Sequence, residues 1–435
     1  MRISLASMEG FRRLLGTLAV VSSILVLNPA RSVALDLTLK EAVQTAIQNS
    51  QAVLAAEQDV KAAQALLQQA RSAMMPTVNL QGGASRSSEE GSERNNYGDI
   101  SLSQTVYAGG AITAGLHQAE ANLRKAQHNL QRAREEAASV AWDAFLDALL
   151  QREKLRSAEQ TRDYYARALD MARKRLEVGL NTKLEVSRME QNLRDAVGSV
   201  VTARGNLERS LVTLSRAMGL DPSTSLSVKG ELKPVDLDLE EDRALAEALR
   251  NRRDLMALRE DLEIQRQGLI IAGASMRPSA SLSGSYRLYH DKPGSTKEGE
   301  WTASLNLTVP LLDFGKTDAK VSQEAAKLEK ARIGLRELED SIREQVSKGI
   351  IALRTARENL SAYRGSLEVS RESLALAEVG YREGVNTQLD LISARRDLTQ
   401  AEVTYLEAVR SLLGAMKNLA YQRGTILEDL EKMTR

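Results

Sequence analysis

The chain is written twice, and that repetition restricts its fold more than any other feature. Gly179-Leu180-Asn181-Thr182-Lys183-Leu184-Glu185 reappears as Gly384-Val385-Asn386-Thr387-Gln388-Leu389-Asp390, at an offset of 205 positions. The same offset pairs Leu102 with Leu307, Gly110 with Gly315, Gln118 with Gln323, Leu193 with Leu398 and Gly219 with Gly424. Upstream, Pro76 pairs with Pro278 at an offset of 202, so one intervening loop differs by three residues. Chance gives one short match; a register held over about 120 residues requires two copies of one unit. The expected organisation is a leader at 1–34, a first repeat at 35–232, a linker at 233–238 and a second repeat at 239–435. The leader has Arg2, Arg12 and Arg13, an apolar run Leu14–Leu27 and the small residues Ser32-Val33-Ala34. That order is the pattern of a secretory signal peptide cleaved after Ala34, and the run is too short to span a bilayer.

Each copy follows one plan. A helix is expected from Leu39 to Met75, capped by Thr38 with Glu41 three residues on, and stopped before Pro76. Apolar and polar residues then alternate (Val78, Leu80, Gly82), break at a polar loop, and alternate again through Ile100, Leu102 and Val106, which predicts a β-hairpin. Copy two repeats it with Ala280, Leu282, Tyr286 and then Trp301, Leu305, Leu307. Proline-free stretches follow, Ala111–Val178 and Lys316–Glu383. As helices, each would be about 100 Å long. A glycine reversal leads into a shorter return helix, 183–218 or 388–423, with a heptad seam such as Leu193, Ala196, Val200 and Leu398, Ala401, Tyr405. No globular domain encloses helices of that length, so the hairpins must pack laterally on one another and on other copies.

Composition removes most enzyme classes. Cysteine is absent, histidines number 3, aromatics are 3%, and 59 basic residues balance 58 acidic ones. There is no thiolate chemistry, no charge excess calling for nucleic acid, and no nucleophile elbow, phosphate loop or zinc motif. His117 and His128 read as solvated helix residues without a third ligand; no metal, cofactor or catalytic residue is expected. Beyond the leader no apolar stretch suits a spanning helix, so any membrane entry must use β-strands. Strands of about ten residues suit that role, as do Tyr97, Tyr107, Tyr286, Tyr289 and Trp301 near their ends. A small soluble sheet remains the alternative on strand pattern alone. Four strands per chain cannot close a barrel. Two chains give eight strands and a filled interior, whereas three give twelve and room for a lumen.

These residues resemble the TolC-like outer-membrane efflux proteins over nearly the whole chain after the leader. The likeness rests on the duplicated plan, on Gln104-Thr105-Val106-Tyr107-Ala108-Gly109-Gly110 and Val309-Pro310-Leu311-Leu312-Asp313-Phe314-Gly315 after the strands, and on the two glycine turns. It implies a mainly α fold with membrane β: duplicated helical hairpins forming a periplasmic α-barrel, and four strands contributed to a 12-stranded trimeric barrel in the outer membrane. It also implies a homotrimer seated in outer-membrane lipid, a periplasmic adaptor, and an inner-membrane pump of the RND or ABC type. The adaptor would dock on the tips Gly179, Leu180, Asn181, Thr182, Gly384, Val385, Asn386 and Thr387, residues that also suit turns and caps without any partner. Asp390 and Glu185 fall on the positions of an acidic ring that narrows the tunnel, where mutual repulsion would raise the Asp390 pKa. The same acids suit the first turn of a helix. Tyr381 matches a tyrosine that latches the closed state, but the expected arginine partner is Asn386 and a second ring aspartate is Ser393. The implied function is a passive exit duct of a tripartite efflux or type I secretion system. The competing reading is a periplasmic coiled-coil adaptor or structural protein without a pore.

Overall fold

A computed structural model describes residues 35–86, 94–235, 240–292, 295–297 and 299–433. The expected leader at 1–34 lies outside the described residues, as do most of the first hairpin loop and part of the 233–238 linker. The chain runs β1 (Leu35–Leu37), α1 (Leu39–Asn49), α2 (Gln51–Ser72), β2 (Thr77–Arg86), β3 (Arg94–Ala108), α3 (Ala111–Glu177) and α4 (Lys183–Ala217). After β4 (Leu226–Val228) come α5 (Glu241–Asn251), α6 (Arg253–Gly273), β5 (Ser279–Lys292), a short β6 (Ser295–Lys297), β7 (Trp301–Thr308), α7 (Lys316–Glu383), α8 (Gln388–Arg423) and α9 (Ile426–Met433). At 67 and 68 residues, α3 and α7 are each about 100 Å long.

The first helix is not continuous. Thr38 caps α1 through the expected capping box with Glu41, but the helix breaks at Ser50 (ψ 126°) before α2 starts. The second copy breaks likewise at Arg252 (ψ 122°). Each break sits against a chain reversal. A Cβ on Gly219 would lie 2.5 Å from the Asn49 carbonyl oxygen, and one on Gly424 would lie 3.0 Å from the Asn251 carbonyl carbon. Both glycines have positive φ, 68° and 70°, so the close approach and the turn both require them.

The four long strands form one antiparallel sheet in the order β2–β3–β5–β7, with β6 continuing beside β5 on the β7 side. Register shifts mark two bulges, one leaving Leu288 of β5 extra opposite Gly98/Asp99 and one leaving Val106 of β3 extra between Thr105 and Tyr107. Among the described residues, the outer edges of β2 and β7 pair with nothing. Both faces are open, and Val78, Leu80, Trp301, Leu305 and Leu307 are exposed. The helices repeat the order of the strands. Next to the sheet, α2 packs on α3, α3 on α6 and α6 on α7. Farther down, α4 packs on α3, α3 on α8 and α8 on α7. Every layer is therefore an open strip with one flank from copy one and the other from α7 or β7.

The main core lies halfway along α3. Trp142, Phe145, Leu146 and Leu149 are buried there against α1, the end of α4, α8 and α9. A parallel pair of three-residue strands closes it, with Asp36 opposite Ser227. This β1–β4 pair and α9 were not foreseen, since three-residue strands carry no periodic signal. The buried ammonium of Lys417 on α8 bonds Asp143 and Ser139 of α3, tying the two hairpins together. Glu135 is a weak point on the same helix. Its carboxyl is buried, Arg253 Nε stands 3.7 Å away, and the second carboxyl oxygen has no hydrogen-bond partner.

Burial outweighs the nearby Arg253 and Arg132 and pushes the Glu135 pKa up to about 7. The folded chain therefore holds a proton there that the unfolded chain releases near 4.5. Stability is thus expected to fall as pH rises from about 4.5 to 7, by on the order of 2–3 kcal/mol. Glu135→Gln should flatten that window in denaturant unfolding measured across pH; an unchanged slope would assign it to other groups.

Candidate functional site

The two lower turns are built alike. Gly179 (φ 78°) and Gly384 (φ 79°) adopt the left-handed conformation that reverses the chain after α3 and α7. Thr182 and Thr387 then cap α4 and α8 by reciprocal boxes. The Thr182 amide donates to Glu185 Oε2 at 2.6 Å, and the Glu185 amide donates to Thr182 Oγ1 at 3.3 Å. In the second tip the Thr387 amide donates to Asp390 Oδ2 at 2.8 Å, and the Asp390 amide donates to Thr387 Oγ1 at 3.3 Å. Both acids thus turn back on their own helix start.

Within one protomer the Asp390 pKa is lowered, because the Thr387 hydroxyl and amide both donate to its carboxylate. The repulsion expected of a ring needs like charges around an axis, and a single protomer brings none to it.

Tyr381 has a partner that sequence reasoning missed. Arg175, near the end of α3, stacks over its ring with 5.0 Å from guanidinium carbon to centroid, and donates from Nη2 to the Arg382 carbonyl at 3.4 Å. Asn386 stands where the resemblance places an arginine, but it folds back on Gly380, where a Cβ would lie 2.5 Å from Asn386 Nδ2. The guanidinium facing the tyrosine thus comes from the other hairpin. Two further ties join the tips: Gln388 Nε2 donates to the Glu185 carbonyl at 3.0 Å, and Arg395 stacks over Tyr164 at 4.7 Å. Burial raises the Tyr164 pKa, so the phenol stays neutral. Between the hairpins Tyr164, Arg175 and Tyr381 border a cavity of about 290 Å³, lined also by Met171, Met189 and Leu391.

The ends of the tips are apolar. Leu180 is 72% exposed and Val385 77%, and Leu184 and Leu389, two residues past the caps, are also exposed. Each pair is related by the 205-residue offset, so both tips present the same two apolar positions. Leu184 and Leu389 were not singled out from the sequence, although an apolar residue two positions after an N-cap and off the heptad seam was a readable signal. Among the described residues no cluster of metal-ligating side chains occurs, and no helix is long and apolar enough to cross a membrane.

Comparison with known proteins decides between duct and adaptor. The profile of outer membrane efflux proteins matches residues 42–220 and 244–424. The chain belongs to the outer membrane efflux protein family. It is 27% identical to the protein CyaE of Bordetella pertussis over 414 residues, covering 89% of this chain and 85% of that one. It is 22% identical to the outer membrane protein TolC of Vibrio cholerae over 401 residues, covering 88% and 91%. The fold matches the CmeC outer membrane channel of Campylobacter jejuni with a TM-score of 0.77, at 15% identity, over 91% of this chain and 88% of that one. The protein is therefore an efflux channel of the outer membrane, and its exposed strands and long helices are those of a TolC-like channel. The adaptor alternative falls with this assignment.

The caps set how firmly the tips hold their shape. Thr182→Ala and Thr387→Ala should each cost about 1 kcal/mol of local helix stability. Amide exchange in the first turns of α4 and α8 should then quicken about fivefold, read by mass spectrometry. Unchanged exchange would show that the caps carry no strain-bearing role.

Proposed function

We propose that the chain is the exit duct of a tripartite efflux or type I secretion system. It would act as a homotrimer that conducts passively while an inner-membrane pump, reached through a periplasmic adaptor, supplies the energy. The observation that carries this is the pair of open edges. An unpaired strand edge in hydrocarbon costs several kcal/mol per backbone group. A sheet with β2 free on one side and β7 on the other can satisfy both by meeting the next copy head to tail. That contact is heterologous, and it must close into a ring rather than run on. Three copies give twelve strands, the smaller ring with a lumen. The α4 and α7 flanks lie on the corresponding sides, so the ring that seals the barrel also seals the helical tube. In this reading the repeats 35–232 and 239–435 serve as two like staves of each protomer.

Gating is assigned to the tips. Arg175 on Tyr381 holds the two hairpins of one protomer together, a latch that takes the place of one from Asn386. Asp390 and Glu185 border the narrow end, and their charges would favour cations there. Adaptor docking is assigned to Gly179, Leu180, Asn181 and Thr182 with Gly384, Val385, Asn386 and Thr387, to which Leu184 and Leu389 add exposed apolar area. Buried Gln388 Oε1 and Asn181 Nδ2 lack hydrogen-bond partners in the protomer, as groups awaiting a partner would.

Three measurements test this. Detergent-extracted protein should run as a trimer by native mass spectrometry, and a monomer stable without detergent would end the duct reading. Arg175→Ala should raise single-channel conductance in planar bilayers several-fold; unaltered conductance would remove the latch. Leu180→Asp with Val385→Asp should abolish export while trimers persist, and retained export would deny docking at the tips.

A further inference from the structure

The two sheet-to-helix junctions are related by the repeat yet differ in one residue type. Gly109 and Phe314 are counterparts at the 205-residue offset, and both are left-handed, with φ 62° and 54°. Phe314 is the only non-glycine residue with positive φ among the described ones. A phenylalanine held there is strained, at about 1 kcal/mol or more, so its side chain must be worth the cost.

Inside the chain, Gly109 has no room for a side chain. The first junction packs on the end of α6 and the turn that follows, and a Cβ on Gly109 would stand 2.6 Å from Arg277 Cβ and 2.8 Å from the Ala274 carbonyl oxygen. Arg277 Nη1 locks that seam by donating to the Gly109 carbonyl at 3.0 Å. At Phe314 the surroundings are empty: it is 91% exposed, and Leu311 beside it is 89%. At the 202-residue offset, the counterparts of Met276 and Arg277 are Met74 and Met75, at the end of α2. Both methionines are exposed.

We infer that Phe314 of one protomer seats on Met74 and Met75 of the next, an aromatic–thioether lock that replaces the arginine lock between the two halves of one chain. This rests on the ring proposed above. The seam within the chain, β3 against β5 with the Gly109 junction on the end of α6, is the template. Repeating it sets β7 against β2 of the next protomer and the Phe314 junction on the end of its α2. The pairing of Leu102 with Gly284 then places Leu307 opposite Gly82 of the next protomer. The phenyl ring needs a wider gap than Gly109 occupies. Met75, which cannot donate as Arg277 does, supplies a flexible apolar wall for it; sulfur beside an aromatic ring is favourable. Phe314 thus acts as the wedge that sets the spacing between protomers where barrel meets helices. The competing occupant is the lipid surface, into which Phe314 and Leu311 would dip as an anchor.

The chain has no cysteine, so introduced pairs can be read cleanly. In full-length protein carrying Phe314→Cys and Met75→Cys, a short bismaleimide should yield covalent dimers and trimers on denaturing gels, and neither single variant should. In a Trp142→Phe, Trp301→Phe background, Phe314→Trp should fluoresce without quenching in vesicles of phosphatidylcholine brominated near the glycerol end of its acyl chains. Trimers by native mass spectrometry that fail to cross-link overturn the seam and leave the ring standing. Quenching by the brominated lipid overturns it in favour of the membrane anchor. Absence of trimers overturns both the seam and the ring beneath it.

Discussion

An open sheet edge cannot face hydrocarbon, and the architecture of this chain follows from that constraint. Each unpaired amide or carbonyl in lipid is expensive, and no water is present to relieve it. The protomer carries four strands with free edges at β2 and β7, too few to curl onto themselves. Its helices continue the order of the strands, so the edge problem in the membrane and the flank problem below it have one solution. The stiffness of α3 and α7 enforces this, since an unbroken helix of about 100 Å carries the angular position of its strand down the tube.

Duplication explains what the two halves share, and divergence explains where they differ. The tips keep one design: a left-handed glycine, a threonine cap, an acid answering it, and apolar residues at matching places. In the ring proposed above, both tips would meet the same surroundings. Elsewhere the copies meet different neighbours. Arg175 of copy one reaches the tyrosine of copy two, whereas its own counterpart is Gly380, whose bare Cα makes room for Asn386. Arg277 grips a backbone carbonyl where its counterpart is Met75. In the proposed trimer, sixfold likeness in the backbone would thus become threefold chemistry in the side chains.

Much of this was legible in the residues. The long helices ended within a residue of expectation, because proline-free stretches bounded by glycine leave little choice. The hairpins and the Thr38, Thr182 and Thr387 caps were readable from alternation and from acids three residues on. The breaks at Ser50 and Arg252 were not, because no proline or glycine marks them; they arise where a distant glycine turn presses on Asn49 and Asn251. The β1–β4 pair joins residues almost two hundred positions apart and has no local signature. At the tips, the acids were identified but their surroundings were not. Asp390 accepts hydrogen bonds from Thr387 at its own helix start, a local geometry that the three-residue spacing of a capping box already allowed.

The position of the core bears on how such a molecule is assembled. Phe145 and Trp142 lie over thirty residues along α3 from the last strand, about 45–50 Å away. Apolar side chains around them can collapse in aqueous surroundings before any strand touches lipid. A protomer can therefore acquire its keel in water and wait, with its sheet unsealed, for its neighbours. Assembly then becomes a choice of partner rather than a second folding problem.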